Sequence, residues 1–182
     1  MRAIVVLLLA VAFSPAAAQP ARAPSANVLS SYKLGAGDVI TIKVFGEDDL
    51  SREKIKVSDA GTVPYPVLGE IKILGRTVGE LERQITDGLR GRYLVNPRVA
   101  VTLEEYRSFF INGQVGKPGG YSYQPGLTVE KAISLAGGLK ERASVNKMYL
   151  VREDDSTKTR VKVNMSSEVR PGDVLTIEES FF

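Results

Sequence analysis

An α+β fold of two small mixed-sheet modules, each with one main helix, follows from three features of this 182-residue sequence. Short strands with period-2 alternation recur along the chain. Two capped amphipathic segments interrupt them. The order of elements then restarts near Tyr106, and two echoes mark the restart. Gly37-Asp38-Val39-Ile40-Thr41-Ile42 returns as Gly172-Asp173-Val174-Leu175-Thr176-Ile177, and Gly75-Arg76-Thr77-Val78 returns as Gly126-Leu127-Thr128-Val129. One helix on one face of a mixed sheet is the smallest arrangement that covers an apolar face. Each module alone has a marginal core, so the two are expected to pack on each other or on neighbouring copies.

The N-terminus precedes the fold. Arg2 is followed by an apolar run from Ala3 to Phe13, then Pro15 and Ala16-Ala17-Ala18. That is the charged, apolar and small-residue order of a secretory signal, here 1–18, with cleavage expected between Ala18 and Gln19. The apolar run is shorter than the roughly 20 residues of a membrane span. Residues 19–31 are rich in Pro, Ala and Ser and read as a flexible lead.

The first module is expected over 32–105. Val39 to Phe45 alternates, with Ile40, Ile42 and Val44 on one face, as a half-buried strand does. Asp59-Ala60-Gly61 parts two short apolar stretches and predicts a hairpin with Gly61 near its tip. Pro64 and Pro66 confine that segment to a sheet edge or a loop. Thr77 and Glu80 form a capping box for a helix over Val78 to Arg90, with Val78, Leu81, Ile85 and Leu89 on one face. Tyr93 to Pro97 ends it, and Arg98 to Leu103 follows as a strand.

The second module is expected over 106–182. Phe109 to Tyr123 reads as strand, Gly/Pro turn and strand. Thr128 caps a second helix with Val129, Ala132, Ile133 and Ala136 on its buried stripe, and Gly137-Gly138 supplies a left-handed C-terminal cap. Lys147 to Arg152, Arg160 to Val163 and Val174 to Glu178 complete the strands.

Composition narrows function. The chain has no His and no Cys, which excludes disulfides and a thiol-borne lipid, and removes the usual acid–base residue and soft metal ligands. No G-x-S-x-G nucleophile motif occurs. The formal charge is +3, one unit of it from Arg2, and the basic residues are scattered. A nucleic-acid partner wants a basic stripe and is not expected. No catalytic, cofactor-binding or metal site is assigned, and no cofactor is expected.

The strings LGAGDVITIKVFGE, SDAGTVPYPVLGEIKILGRTVGEL and YLVNPRVAVTLEEY follow one another between Leu34 and Tyr106. Together they resemble the N-terminal domain of bacterial outer-membrane polysaccharide export proteins. VGKPGGYSYQPGLTVEKAISLAGGLKERA resembles the soluble-ligand-binding β-grasp (SLBB) module that follows it in that family. The resemblance implies a β-grasp-like second module and a non-enzymatic part of a capsule or exopolysaccharide export conduit. It implies location in the periplasm in association with the outer membrane. It implies a polysaccharide substrate, a homo-oligomeric ring and an inner-membrane chain-length regulator or co-polymerase as partner. The sequence departs from long members in having no lipid-bearing Cys, one β-grasp module, and an end at Phe182 directly after the last strand. These departures favour a short periplasmic ring, or one docked under a separate outer-membrane pore. The alternative is a monomeric periplasmic adaptor that binds glycan or peptidoglycan.

Some residues carry two readings. Asp38 and Asp173 are either ligand carboxylates or side chains that bond their own turns, the commoner role of Asp after Gly. Gly113, Gly116, Gly119 and Gly120 suit turns, since no strand-GxGxxG-helix unit contains them. Tyr106, Phe109, Tyr121 and Tyr123, with Phe110, are either glycan contacts or core and interface residues. The Phe181-Phe182 terminus echoes membrane barrels, but the short strands and the lack of Trp argue against one.

Overall fold

The computed structural model describes residues 31–180. The predicted signal 1–18, its Ala18–Gln19 cleavage point, most of the 19–31 lead and Phe181–Phe182 lie outside the described residues.

Residues that alternate in burial form the first sheet. β1 (Val39–Val44) buries Ile40, Ile42 and Val44 and turns Thr41 and Lys43 outward. It is the middle strand, antiparallel to β2 (Arg52–Lys56) on one side and β5 (Val99–Glu105) on the other. A two-stranded hairpin, β3 (Thr62–Tyr65) with β4 (Gly69–Lys72), stands beside it. The first helix, α1 (Val78–Leu89), starts at the predicted capping box. Thr77 Oγ1 accepts from Glu80 N–H at 3.3 Å, and Glu80 Oε2 accepts from Thr77 N–H at 2.8 Å. Leu81, Ile85 and Leu89 are fully buried on its inner stripe, each stabilising the fold by about 1.5–3 kcal/mol.

The hairpin differs from expectation. Its tip is Pro66–Leu68, and Gly61 lies at its open base. The Asp59–Gly61 turn joins β2 to β3, which do not pair. Gly61 adopts φ 73° there, and its carbonyl accepts from both Ile73 and Leu74 at the end of β4. A Cβ at this position would collide with Leu74, so the glycine serves packing at the base of the hairpin.

The second sheet has five strands in the order β7 (Gly119–Tyr121), β6 (Phe109–Gly113), β10 (Val174–Glu179), β8 (Ala143–Val151) and β9 (Arg160–Lys162). It is mixed, because β10 runs parallel to β6 and antiparallel to β8. The second helix, α2 (Val129–Leu135), is capped by Thr128, whose Oγ1 accepts from Lys131 N–H at 3.4 Å. Gly137 and Gly138 follow it with positive φ, as a left-handed cap requires.

Two separate cores result. One gathers buried residues between Leu34 and Val101, the other those between Phe109 and Ile177. Among the described residues, two main α-helices, two sheets and the hairpin make this an α+β fold. Among the described residues no helix is long and apolar enough to cross a membrane.

Candidate functional site at the module junction

The connector between β5 and β6 is three residues long, Tyr106-Arg107-Ser108. It delivers Tyr106 and Arg107 to the place where the two Gly-Asp turns meet.

Asp38 heads β1 and is wholly buried. Its carboxylate accepts from the backbone N–H of Gly35 and of Arg107, each at 2.7 Å, and from the Tyr32 hydroxyl at 2.9 Å. Arg107 Nη1 lies 3.4 Å from Asp38 Oδ2 and donates to Tyr32 Oη at 2.6 Å. Arg107 Nε pairs with Glu153 of the second module. A single guanidinium, 69 positions from Asp38 and 46 from Glu153, thus ties the head of β1 to the β8–β9 turn.

Asp173 heads β10 and repeats the geometry. It accepts from the Arg170 N–H at 2.7 Å and pairs with Arg152. Arg152 Nη2 also donates to the Glu168 carbonyl at 3.0 Å. In both turns the Asp N–H donates back to the residue three earlier at 3.2 Å. The sequence echo is therefore a structural one, with each Asp locking its own turn. Burial pushes the Asp173 carboxyl up, opposed by the Arg170 N–H and the Arg152 charge. Gly172 is required between them. It has φ 84°, and a Cβ would overlap the Glu153 carboxylate.

Three tyrosines line this junction. The rings of Tyr32 and Tyr106 meet edge-on with centroids 4.9 Å apart, and those of Tyr106 and Tyr123 at 5.1 Å, a favoured aromatic geometry. Burial raises the Tyr32 phenol far above its ordinary range, and the neighbouring Asp38 charge adds to this. Burial also raises Tyr106, with Asp38 adding, and Tyr123, with Glu168 adding.

The sequence-predicted aromatics thus separate. Tyr106 and Tyr123 come together, half-buried, beside Tyr32. Tyr121 lies on β7, where its hydroxyl donates to the Lys117 carbonyl at 2.5 Å. Phe109 is fully buried in the second core, because its position on β6 faces inward with Ile111, so it is no surface contact for glycan. Phe110, the next residue, faces outward and is half-exposed. Tyr32 and Arg107 carry the junction yet escaped sequence reasoning. Arg107 reaches Asp38 over 69 positions, and no local pattern announces such a pairing.

Chemically, the junction braces the two modules and presents half-buried phenol rings. Its buried carboxylates are occupied by backbone N–H groups and arginines. Among the described residues no three acidic side chains are placed to hold a metal. Two shallow concavities lie elsewhere. One is bounded by Gln124, Pro125, Leu127, Lys131 and Leu135, the other by Arg52, Ile55, Tyr65 and Glu70.

The first module and its flank, residues 26–104, match the profile of the polysaccharide biosynthesis/export protein family, and residues 108–162 match that of the SLBB domain. The two occur in that order and meet at the junction just described. The chain carries a polysaccharide export domain followed by an SLBB domain. The SLBB match stops before β10, the middle strand of the second sheet.

Named relatives agree. The chain is 31% identical over 125 residues to the exopolysaccharide production protein ExoF of Rhizobium meliloti (strain 1021), covering 60% of this chain and 28% of that one. It is 25% identical over 170 residues to the EPS I polysaccharide export outer membrane protein EpsA of Ralstonia nicotianae, covering 79% and 44%. EpsA of Ralstonia solanacearum is 29% identical over 133 residues, covering 59% and 35%. The chain spans less than half the length of each of these relatives.

Proposed function

We propose that this protein is a non-enzymatic structural component of an exopolysaccharide or capsule export conduit. The carrying observation is the export domain and the SLBB domain in tandem, joined by one short, charge-locked connector. Such a joint holds two modules in a fixed relation, as a repeating wall unit needs. The occupied state of Asp38 and Asp173 supports a bracing role over an acid–base one. On this reading the modules divide at 105/106. Copies assemble into a ring in the periplasm in association with the outer membrane, and an inner-membrane co-polymerase feeds polymer to it. The ring is either a short periplasmic one or one docked under a separate outer-membrane pore.

The test is paired. Deleting the gene is expected to abolish surface polysaccharide while polymer synthesis continues, and electron microscopy of the purified protein is expected to show rings. Unchanged surface polymer in the deletion strain would refute this function.

The tyrosine cluster at the junction favours a second reading, a monomeric glycan-binding adaptor in which Tyr106 and Tyr123 touch sugar. Titration with oligosaccharides separates the two. Saturable binding by a monomer supports the adaptor, and weak non-saturating binding by a ring supports the conduit.

A further inference from the structure

The end of the first module opposite the junction is built differently. There β1 stops, β5 starts and α1 finishes, and the β3–β4 hairpin tip leans against the segment after α1. Tyr93 Oη donates to the Val67 carbonyl at 3.0 Å, which ties the two loops together. The Gly91–Leu94 turn is held by Gly91 N–H to the Leu94 carbonyl at 2.8 Å, and by Tyr93 and Leu94 N–H to the Leu89 carbonyl at 3.1 and 3.0 Å. This rigid frame displays apolar groups to solvent. Val95 is 94% exposed, Val67 is 49% exposed, and Tyr93 stands between them at 37%. Phe45, 55% exposed, lies at the same end through its N–H bond to the Arg98 carbonyl.

Val67 sharpens the case. It has φ 58°, a region that β-branched residues rarely enter. Gly or Asn would sit there with less strain. Instead the chain holds an exposed aliphatic side chain in a costly conformation.

The geometry points to a lipid-facing tip: Val67, Tyr93 and Val95 insert shallowly into the headgroup region of a bilayer that contains anionic lipid. Three observations select this occupant. The surface is a pair of loop tips whose aliphatic groups stand out into solvent, Val95 almost wholly and Val67 by half, so it does not enclose a small ligand or peptide. A stable protein contact engages about 20–30 residues a side, and these few side chains fall well short of that. The charge fits as well. Between Gly88 and Leu103 the chain carries Arg90, Arg92 and Arg98 and no acid, and the Arg92 guanidinium lies 5.4 Å from the Tyr93 ring centre. Aliphatic groups at the apex, a tyrosine at the boundary and arginines behind match the layers of an anionic membrane surface. Asp87, paired to Arg90, and the acidic turn Glu47–Asp49 beyond Phe45 moderate the attraction.

Because the chain has no cysteine, a Val95→Cys variant takes one polarity-sensitive fluorophore at the apex. The expected result is a blue shift in emission on adding phosphatidylglycerol vesicles, and a much smaller one with pure phosphatidylcholine. The same dye on Ser156→Cys, in the exposed β8–β9 turn of the other module, is expected not to shift. Val67→Asp, which relieves the backbone strain and so preserves the fold, is expected to weaken the apex response at least five-fold. Arg92→Glu is expected to weaken it about three-fold. A dye at position 95 that stays water-like in the presence of vesicles overturns the proposal, whether or not the chain sediments with them. So does a shift that survives Val67→Asp. A shift produced by raising protein concentration without lipid also overturns it, and identifies a second copy as the occupant.

Discussion

The two ends of the first module follow opposite rules. At the junction, Asp38 is buried and its carboxylate is bound by the donors of Gly35, Arg107 and Tyr32. At the far end, Val67 occupies a backbone conformation suited to glycine, and Val95 projects almost wholly into solvent. One end spends its residues on internal satisfaction, the other on display. The difference teaches that stability and contact are separated in space, with the sheet between them as a rigid spacer.

The comparison breaks most visibly at Asp38. Asp38→Ala leaves the Arg107 guanidinium near Tyr32 without its buried carboxylate and orphans two backbone donors. The expected loss is about 3–5 kcal/mol, read from denaturant unfolding. Its echo, Asp173→Ala, is expected to cost less, about 2 kcal/mol, because Arg152 is the more exposed arginine and turns to water. Equal losses would show that the two turns carry the same load.

Gly172→Ala falls between these two in size. It adds left-handed strain to an overlap with Glu153, for an expected cost of about 2–3 kcal/mol. Gly37→Ala meets only the Cβ of Arg107 at 3.4 Å and is expected to cost about 1 kcal/mol.

Alkaline pH probes the same end without mutation. The Tyr32 phenol is raised above its unfolded value of 10.0, by burial first and Asp38 second. A raised folded value means that its contribution is whole below pH 10 and is lost as pH climbs beyond it, when the unfolded chain ionises and the folded one resists. Stability is expected to fall above pH 10, with tyrosinate absorbance appearing together with unfolding. Tyr32→Phe flattens that slope. Tyrosinate forming well before unfolding would contradict the buried setting.

The smallest effect has the opposite sign. Val67→Asn is expected to raise stability by about 1 kcal/mol through release of left-handed strain, seen as a higher Tm. A loss of stability would mean that the Val67 side chain has a packing role of its own.

Much of the fold was legible because it rests on local rules. Thr77 and Glu80 announce a capping box, and the alternation of Ile40, Ile42 and Val44 fits a strand with one buried face. The hairpin was misplaced because Asp59-Ala60-Gly61 carries stronger turn chemistry than Pro66-Val67-Leu68, whose tip holds a valine where turn rules ask for glycine or asparagine. Pro66 and Gly69, which bracket the true tip, were the weaker signal available. At the junction, Tyr106 and Tyr123 were picked out, but Arg107 was not. Its meaning depends on Asp38 and Glu153, brought to it only by tertiary folding. Phe109 and Phe110 are neighbours of opposite fate, and the phase of β6 alone decides which is buried.

The placement of β10 has a consequence for order of events. Of the described strands, the last in sequence is the one that sits in the middle of the second sheet, flanked by β6 and β8. Until residues 174–179 emerge, β6 and β8 have no neighbour to join them, whereas every strand of the first module is already available by residue 105. The first module can therefore close before the second, whose β6–β7 and β8–β9 pairs are joined only when residues 174–179 slide in as a keystone.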